Sequence, residues 1–237
     1  MKIFIIRHGD PDYKNDTLTE RGREEAKLLA ERMQKENVTK VYLSPLGRAQ
    51  DTAKPFLEAT GLPAETRDFL REFPKMIYED LEPFGQKSRF SCPWDMDPAL
   101  FMSKQTLFSD AENWWKDPIF KEHGVADYGL MVQKEFWALL AENGLMREGT
   151  VFHAPNMTDE EFDTTNIAIF CHMGLGSFLL ATMAHTSPIL FWQMYRIMPT
   201  SVSTIFFRKI DATRIQPKIF SVGDTTHLPP IGITYHY

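Results

Sequence analysis

Two short apolar runs constrain the fold more than anything else in this chain: Lys2-Ile3-Phe4-Ile5-Ile6 and Asn166-Ile167-Ala168-Ile169-Phe170-Cys171. Neither alternates polar with apolar residues, so each suits a strand buried on both faces, as in a parallel sheet covered by helices. Helical periods stand between them. Thr19 can cap a helix running to about Lys35, where Ala26, Leu29, Ala30 and Met33 recur at i, i+3, i+4 and i+7. Lys40 to Leu43 reads as a second strand, broken by Ser44-Pro45-Leu46-Gly47, and a helix follows from about Arg48 to Thr60 with Gly61 as its stop. Residues 65–70 read as a short extended piece, and Tyr128 to Glu142 as a helix ended by Asn143-Gly144. A Gly-rich turn after His172 leads into a helix near Ser177 to His185; Val202 to Arg208 and Lys218 to Val222 read as late strands. This alternation predicts an α/β three-layer sandwich with a central, mainly parallel sheet, in one domain spanning residues 1–237. From Phe73 to about Ala126 the period fails amid scattered prolines and many aromatics, which reads as a cap-like insertion over the carboxyl edge of the sheet.

Composition narrows the function classes. The formal net charge is −6, from 26 basic and 32 acidic residues, which argues against a general nucleic-acid binder or a polybasic membrane anchor. The opening apolar run stops at Arg7, too short for a secretory segment, and the stretch Gly174 to Ala184 is too short for a bilayer span. Two cysteines, Cys92 and Cys171, are too few for a disulfide framework. The expectation is a cytoplasmic protein that binds neither nucleic acid nor membrane.

In layered α/β sheets ligands bind beyond the carboxyl ends of the strands. Three polar clusters fall at such ends: Arg7-His8-Gly9, Ser44 to Arg48, and His172. A side chain at a buried strand's end is held rigidly yet faces a cleft, and Gly9 permits a close backbone approach. Arg48 opens a helix, where unpaired amide N–H groups and a guanidinium both suit an anion. Glu72, in Leu70-Arg71-Glu72, supplies a carboxylate at the expected edge, with Glu79, Asp80, Glu82 and Asp10 as competitors that spacing alone does not separate.

Four segments occur in one order: Arg7-His8-Gly9; Leu18-Thr19-Glu20-Arg21-Gly22; Ser44-Pro45-Leu46-Gly47-Arg48-Ala49-Gln50-Asp51-Thr52-Ala53; and Phe170-Cys171-His172-Met173-Gly174. Together they resemble the histidine phosphatase superfamily in its phosphoglycerate-mutase-like branch, over about residues 1–72 and 165–230. The resemblance implies that His8 is the nucleophile that becomes phosphorylated, and that Arg7, Arg48 and His172 bind the transferring phosphoryl group; the charge on the phosphoryl oxygens would suit a protonated His172. It implies Glu72 as the acid, although the Gly-containing continuation common in the family is missing. Asp10 stands where relatives often have Glu or Gln and is the alternative acid. Asp224-Thr225-Thr226-His227-Leu228 resembles a C-terminal family segment near the pocket, with His227 read as a structural hydrogen-bonding residue. The implied activity is metal-independent hydrolysis of a small-molecule phosphate monoester through phosphohistidine, with no cofactor.

Rival readings have less support. A metal site from His8, His172, Asp10 and Glu72 lacks the i, i+3 or i, i+4 pairs of common motifs and would face two arginines. Cys171 neighbours His172 on a strand, so their side chains should take opposite faces. A non-catalytic phospho-ligand-binding protein on the same fold should have lost one of His8, His172, Arg7 or Arg48, and all are present. A phosphoglycerate-type phosphomutase needs extra basic residues by the pocket. Residues 69–120 carry six (Arg71, Lys75, Lys87, Arg89, Lys104, Lys116) against nine acidic ones, which favours hydrolysis. The insertion's aromatics, Trp94, Trp114 and Trp115 among them, read first as its own small core.

Overall fold

The computed structural model describes residues 1–74, 92–96, 98, 101, 104, 106–121 and 124–229. The chain opens with β1 (Lys2–Arg7), a small hairpin β2 (Pro11–Asp12) and β3 (Thr17–Leu18), then α1 (Glu20–Met33), β4 (Lys40–Leu43), α2 (Gly47–Thr60) and β5 (Ala64–Thr66). After the insertion come α3 (Val125–Glu142), β6 (Met146–Glu148), β7 (Val151–His153), α4 (Asp159–Thr164), β8 (Asn166–Cys171), α5 (Met173–Met183), α6 (Pro188–Met194), β9 (Val202–Lys209) and β10 (Ile215–Asp224).

Eight strands form one sheet in the order β5-β4-β8-β1-β9-β10-β7-β6. The half from β5 to β1 is parallel, and the sheet continues antiparallel from β9 outward. This is the expected central sheet between helical layers. Alternation along β1 explains why its run is wholly apolar. Phe4 and Ile6 pack with Leu29, Met33 and Phe56 of α1 and α2. Ile3 and Ile5 face the opposite layer, with Phe136, Leu175 and Phe178 of α3 and α5. Burying each such side chain on its own face stabilises the fold by roughly 1.5–3 kcal/mol.

Local chemistry sets the element ends. The Thr19 hydroxyl accepts from the Gly22 amide 3.0 Å away and caps α1. Gly61 ends α2 at φ 68°, a conformation glycine adopts without strain.

Three features differ from the sequence reading. Residues 65–70 are not one extended piece: β5 covers three residues, and Asp68–Leu70 form a 3₁₀ turn. The short strands β6 and β7 lie where no strand is expected. And α5 begins at Met173, not near Ser177, so Gly174 and Gly176 lie inside the helix. Gly174 is required there for packing. A Cβ on it would lie 1.9 Å from the Trp94 ring, which rests on the helix at this point.

The described part of the insertion is tied down beside the sheet's carboxyl edge. Gln193 of α6 donates to the Pro93 carbonyl at 2.8 Å, and Trp192 donates through Nε1 to the Gly174 carbonyl at 2.9 Å. Trp114 and Phe120 are buried and belong to the main core rather than to a separate small one.

Candidate active site

Register brings the site together. Arg7 pairs with Cys171 across β1 and β8, and Leu43 pairs with Phe170 across β4 and β8. The next residues, His8, His172 and Ser44, therefore leave three adjacent parallel strands side by side. The His8 and His172 rings lie 5.2 Å apart, centroid to centroid. Cys171 turns the other way and is fully buried in the core, where burial pushes its thiol far up from the usual range.

His8 is oriented by its neighbour. Its Nδ1 lies 2.8 Å from the Gly9 carbonyl oxygen, an acceptor only, so the proton sits on Nδ1 and Nε2 carries the lone pair. The Gly9 amide donates to Thr52 Oγ1 at 2.9 Å, which ties this turn to α2. Gly9 allows the close approach expected of it, since a Cβ there would lie 2.8 Å from the Gly22 carbonyl oxygen of α1. Burial and the guanidinium of Arg7 hold the His8 pKa well below its usual value, so the ring is neutral at neutral pH.

His172 is fully buried, and Ser44 Oγ lies 2.7 Å from its Nε2. Ser44 Oγ also accepts from the Leu46 amide at 3.2 Å, which leaves its own proton for Nε2. His172 then carries its hydrogen on Nδ1. The expected protonated imidazole is corrected here: burial, His8 and the neighbouring arginines hold the His172 pKa well below the ordinary value, so this ring too is neutral.

The guanidiniums are braced from outside. Arg7 donates to the Ile197 carbonyl at 2.6 Å, and Arg48 pairs with Asp16 at 2.6 Å. Asp16 also accepts from the Gly47 amide at 2.8 Å, at the first residue of α2. Arg7 Nε, Arg48 Nε and His172 Nδ1 are buried nitrogens without a hydrogen-bond partner among the described residues. Such groups cost free energy unless a partner arrives; Arg7 and Arg48 line one cavity, with the His172 ring buried beside His8, and donors so placed suit an anion.

Glu72 is buried against the start of α5. Its carboxylate accepts from Leu175 and Phe73 through Oε1, at 2.9 and 3.0 Å, and from Gly174 through Oε2 at 3.0 Å. Burial raises its pKa, and the three amides and Arg7 oppose the rise without cancelling it. Asp10 is placed differently. Its carboxylate accepts from the Thr19 hydroxyl at 2.7 Å, and it lines an adjoining cavity. Glu79, Asp80 and Glu82 lie outside the described residues.

The main cavity, about 560 Å³, is lined by Arg7, His8, Arg48 and Glu72 together with Tyr13, Phe73, Trp94, Asp95 and Arg196. Tyr13, Trp94, Asp95 and Arg196 were not legible as site residues, because they come from segments distant in sequence with no shared motif. Trp94 had a signal in the aromatic density of the insertion, but that density pointed first to core. Asp16 and Thr52, which brace Arg48 and Gly9, flank or lie inside the segments singled out above.

Buried guanidinium nitrogens and two histidines thus meet at the carboxyl edge of the parallel half-sheet, an arrangement whose chemistry suits an anion. Residues 3–99 match the family model of the histidine phosphatase superfamily (branch 1). Relatives include a probable phosphatase of Schizosaccharomyces pombe, 37% identical over 92 residues, which cover 35% of this chain and 43% of that protein. A probable phosphoglycerate mutase of Yersinia enterocolitica is 32% identical over 88 residues, covering 33% of this chain and 41% of its own. The chain thus matches less than half the length of each of these relatives. Solved structures share the fold along nearly the whole chain. A phosphoserine phosphatase of Entamoeba histolytica in complex with phosphoserine has a TM-score of 0.60 at 18% identity, covering 96% of this chain and 99% of its own. The α-ribazole phosphatase of Shigella flexneri has a TM-score of 0.58 at 21% identity, covering 95% and 97%. Among the described residues, no helix is long and apolar enough to cross a membrane.

Proposed function

We propose that the protein is a phosphatase that hydrolyses a small-molecule phosphate monoester through a phosphohistidine on His8. The observation that carries this reading is the fixed tautomer of His8, whose unprotonated Nε2 shares a cavity with the donors of Arg7 and Arg48. A neutral imidazole nitrogen is a good nucleophile toward phosphorus, and a covalent intermediate divides one hard step into two. In the first step Nε2 bonds to phosphorus as the ester P–O bond breaks. Arg7, Arg48 and the Nδ1–H of His172 meet the charge spread over the phosphoryl oxygens, which leaves no stabilising task that requires a metal. Glu72 in its protonated form gives a proton to the leaving oxygen. As a carboxylate it then takes one from the water that attacks phosphohistidine, releasing phosphate and restoring His8.

A phosphomutase has one observation in its favour, the additional cation Arg196 on the cavity wall. Asp95 weakens it, since this carboxylate lines the same cavity and interacts with Arg196. The insertion is part of one domain with the sheet in this reading, and its Phe73, Trp94 and Asp95 wall the substrate cavity. Cytoplasmic location agrees with only two cysteines in 237 residues. The test is a panel of phosphate monoesters, 3-phosphoglycerate included, followed by phosphorus NMR in the presence of a chelator. Release of inorganic phosphate with chelator present supports hydrolysis. Conversion of phosphoglycerate isomers without phosphate release, or activity lost on chelation, defeats it.

A further inference from the structure

Both Arg7 and His8 are held from one side by a single stretch of backbone between α6 and β9. The Ile197 carbonyl accepts from the Arg7 guanidinium at 2.6 Å, and the Ser201 carbonyl accepts from the Arg7 amide at 3.2 Å. The Thr200 amide donates to the His8 carbonyl at 3.2 Å. Thr200 does so with φ 53°, in the left-handed region, although it is β-branched and fully buried. A β-branched residue keeps that conformation only where its surroundings dictate it.

The segment after β10 is bonded to Thr200. His227 Nε2 lies 3.2 Å from Thr200 Oγ1, and His227 Nδ1 lies 3.3 Å from Arg32 Nη1 of α1. A guanidinium only donates, so Nδ1 accepts and the imidazole proton is on Nε2. That proton goes to Thr200 Oγ1, whose own hydrogen goes to the Pro199 carbonyl at 2.8 Å. One assignment satisfies every bond. Arg32 is anchored in turn by Asp224, through its carboxylate at 2.7 Å and its carbonyl at 3.1 Å.

We infer that His227 is a positioning residue for the phosphoryl site: acting through Thr200, it locks the 197–201 backbone that aims Arg7 and His8. It is not a catalytic residue, since it meets the reacting groups only through Thr200. The chain of bonds runs one way, from α1 through the C-terminal segment to the back of the nucleophile. Its effect is therefore on alignment, and misalignment costs rate more than ground-state binding. The inference rests on the phosphatase reading for its kinetic test, and a binding arm that needs no turnover separates the two.

Thr200→Val keeps the shape of the side chain and removes the hydroxyl. It should lower kcat by about 10- to 100-fold while KM stays within about twofold, by analogy with other groups that orient a reacting residue. Thr200→Ser should keep kcat within about threefold of the parent, because it retains the acceptor. His227→Phe should match Thr200→Val, and the double variant should be no slower than either single one, since both cut the same link. In calorimetric titrations with orthovanadate, which demands an aligned His8 and Arg7, Thr200→Val should bind about tenfold more weakly, with inorganic phosphate changed by less than about twofold. Thr200→Val with parental kcat and parental vanadate affinity would overturn the inference, as would additive losses in the double variant. If the parent binds vanadate at this site but turns over no phosphate ester, the phosphatase reading fails while the vanadate comparison still decides the role of His227.

Discussion

Glu72 carries the tension of the site at the scale of single residues. Burial favours its neutral form, while the amides of Phe73, Gly174 and Leu175 favour the charged one, and burial prevails. A carboxyl in that balance can hold a proton for the leaving oxygen and yet ionise. Glu72→Gln should lower kcat by about 10²- to 10⁴-fold for alkyl phosphates and much less for an activated aryl phosphate, which leaves without a proton. The alkaline limb of the rate profile, where Glu72 loses its proton, should go with it. Unchanged leaving-group dependence, measured across a series of phosphate esters, would move the role to another carboxylate such as Asp10. The two histidines bear on stability. Each is held below its ordinary pKa in the folded chain, so the unfolded chain takes up protons first as the pH falls. Stability should therefore be full above about pH 6.5 and decline below it, by about 1.4 kcal/mol per pH unit for each histidine until its folded pKa is reached. Urea denaturation between pH 7 and pH 5 should show a shallower decline in His8→Asn than in the parent; equal slopes would contradict the neutral His8. Arg7, His8, Arg48 and His172 were legible because each ends a strand or opens a helix that the sequence marks plainly. Glu72 was legible only as one carboxylate among several, because its choice depends on amides of α5, about a hundred residues away.

At the scale of elements, α5 shows where sequence reading fails and why. Two glycines after His172 look like a turn, yet the helix starts at Met173 and Gly174 serves a ring resting on it. The rule that places glycine in turns is local, whereas the cause here is Trp94, eighty residues earlier. An exposed helical glycine replaced by alanine is stabilised by up to about 1 kcal/mol. Gly174→Ala should instead destabilise by about 1–3 kcal/mol, because its methyl meets an aromatic ring in a packed contact. In a Trp94→Ala background the same change should turn neutral or stabilising. Thermal melts of the four proteins check this, and a destabilisation that survives removal of Trp94 would contradict the contact. The strands β6 and β7 carry little sequence signal for another reason. Each has three residues, and Met146-Arg147-Glu148 is exposed throughout, so no burial pattern marks it.

The whole molecule divides its work between the two halves of its sheet. The parallel half, legible from its doubly buried strands, aligns the ends of β1, β4 and β8 and so brings His8, Ser44 and His172 together. The antiparallel half and the segment beyond it lie behind those strand ends, through β9, β10 and His227; the sequence marked His227 as a structural hydrogen-bonding residue near the pocket but gave no sign of its partner Thr200. The far wall of the cavity was not legible either, since Tyr13, Trp94 and Arg196 meet only in the folded chain. What unites both halves is the claim that they aim one imidazole nitrogen at phosphorus. The most direct test is to mix the protein with a phosphorus-labelled ester, quench within a turnover and locate the label. The account predicts label on His8, stable in base and lost in acid as a P–N bond requires. His8→Ala should show neither label nor turnover, with its circular dichroism unchanged. Label on a carboxylate or on Cys171, or full turnover by His8→Ala, would contradict it.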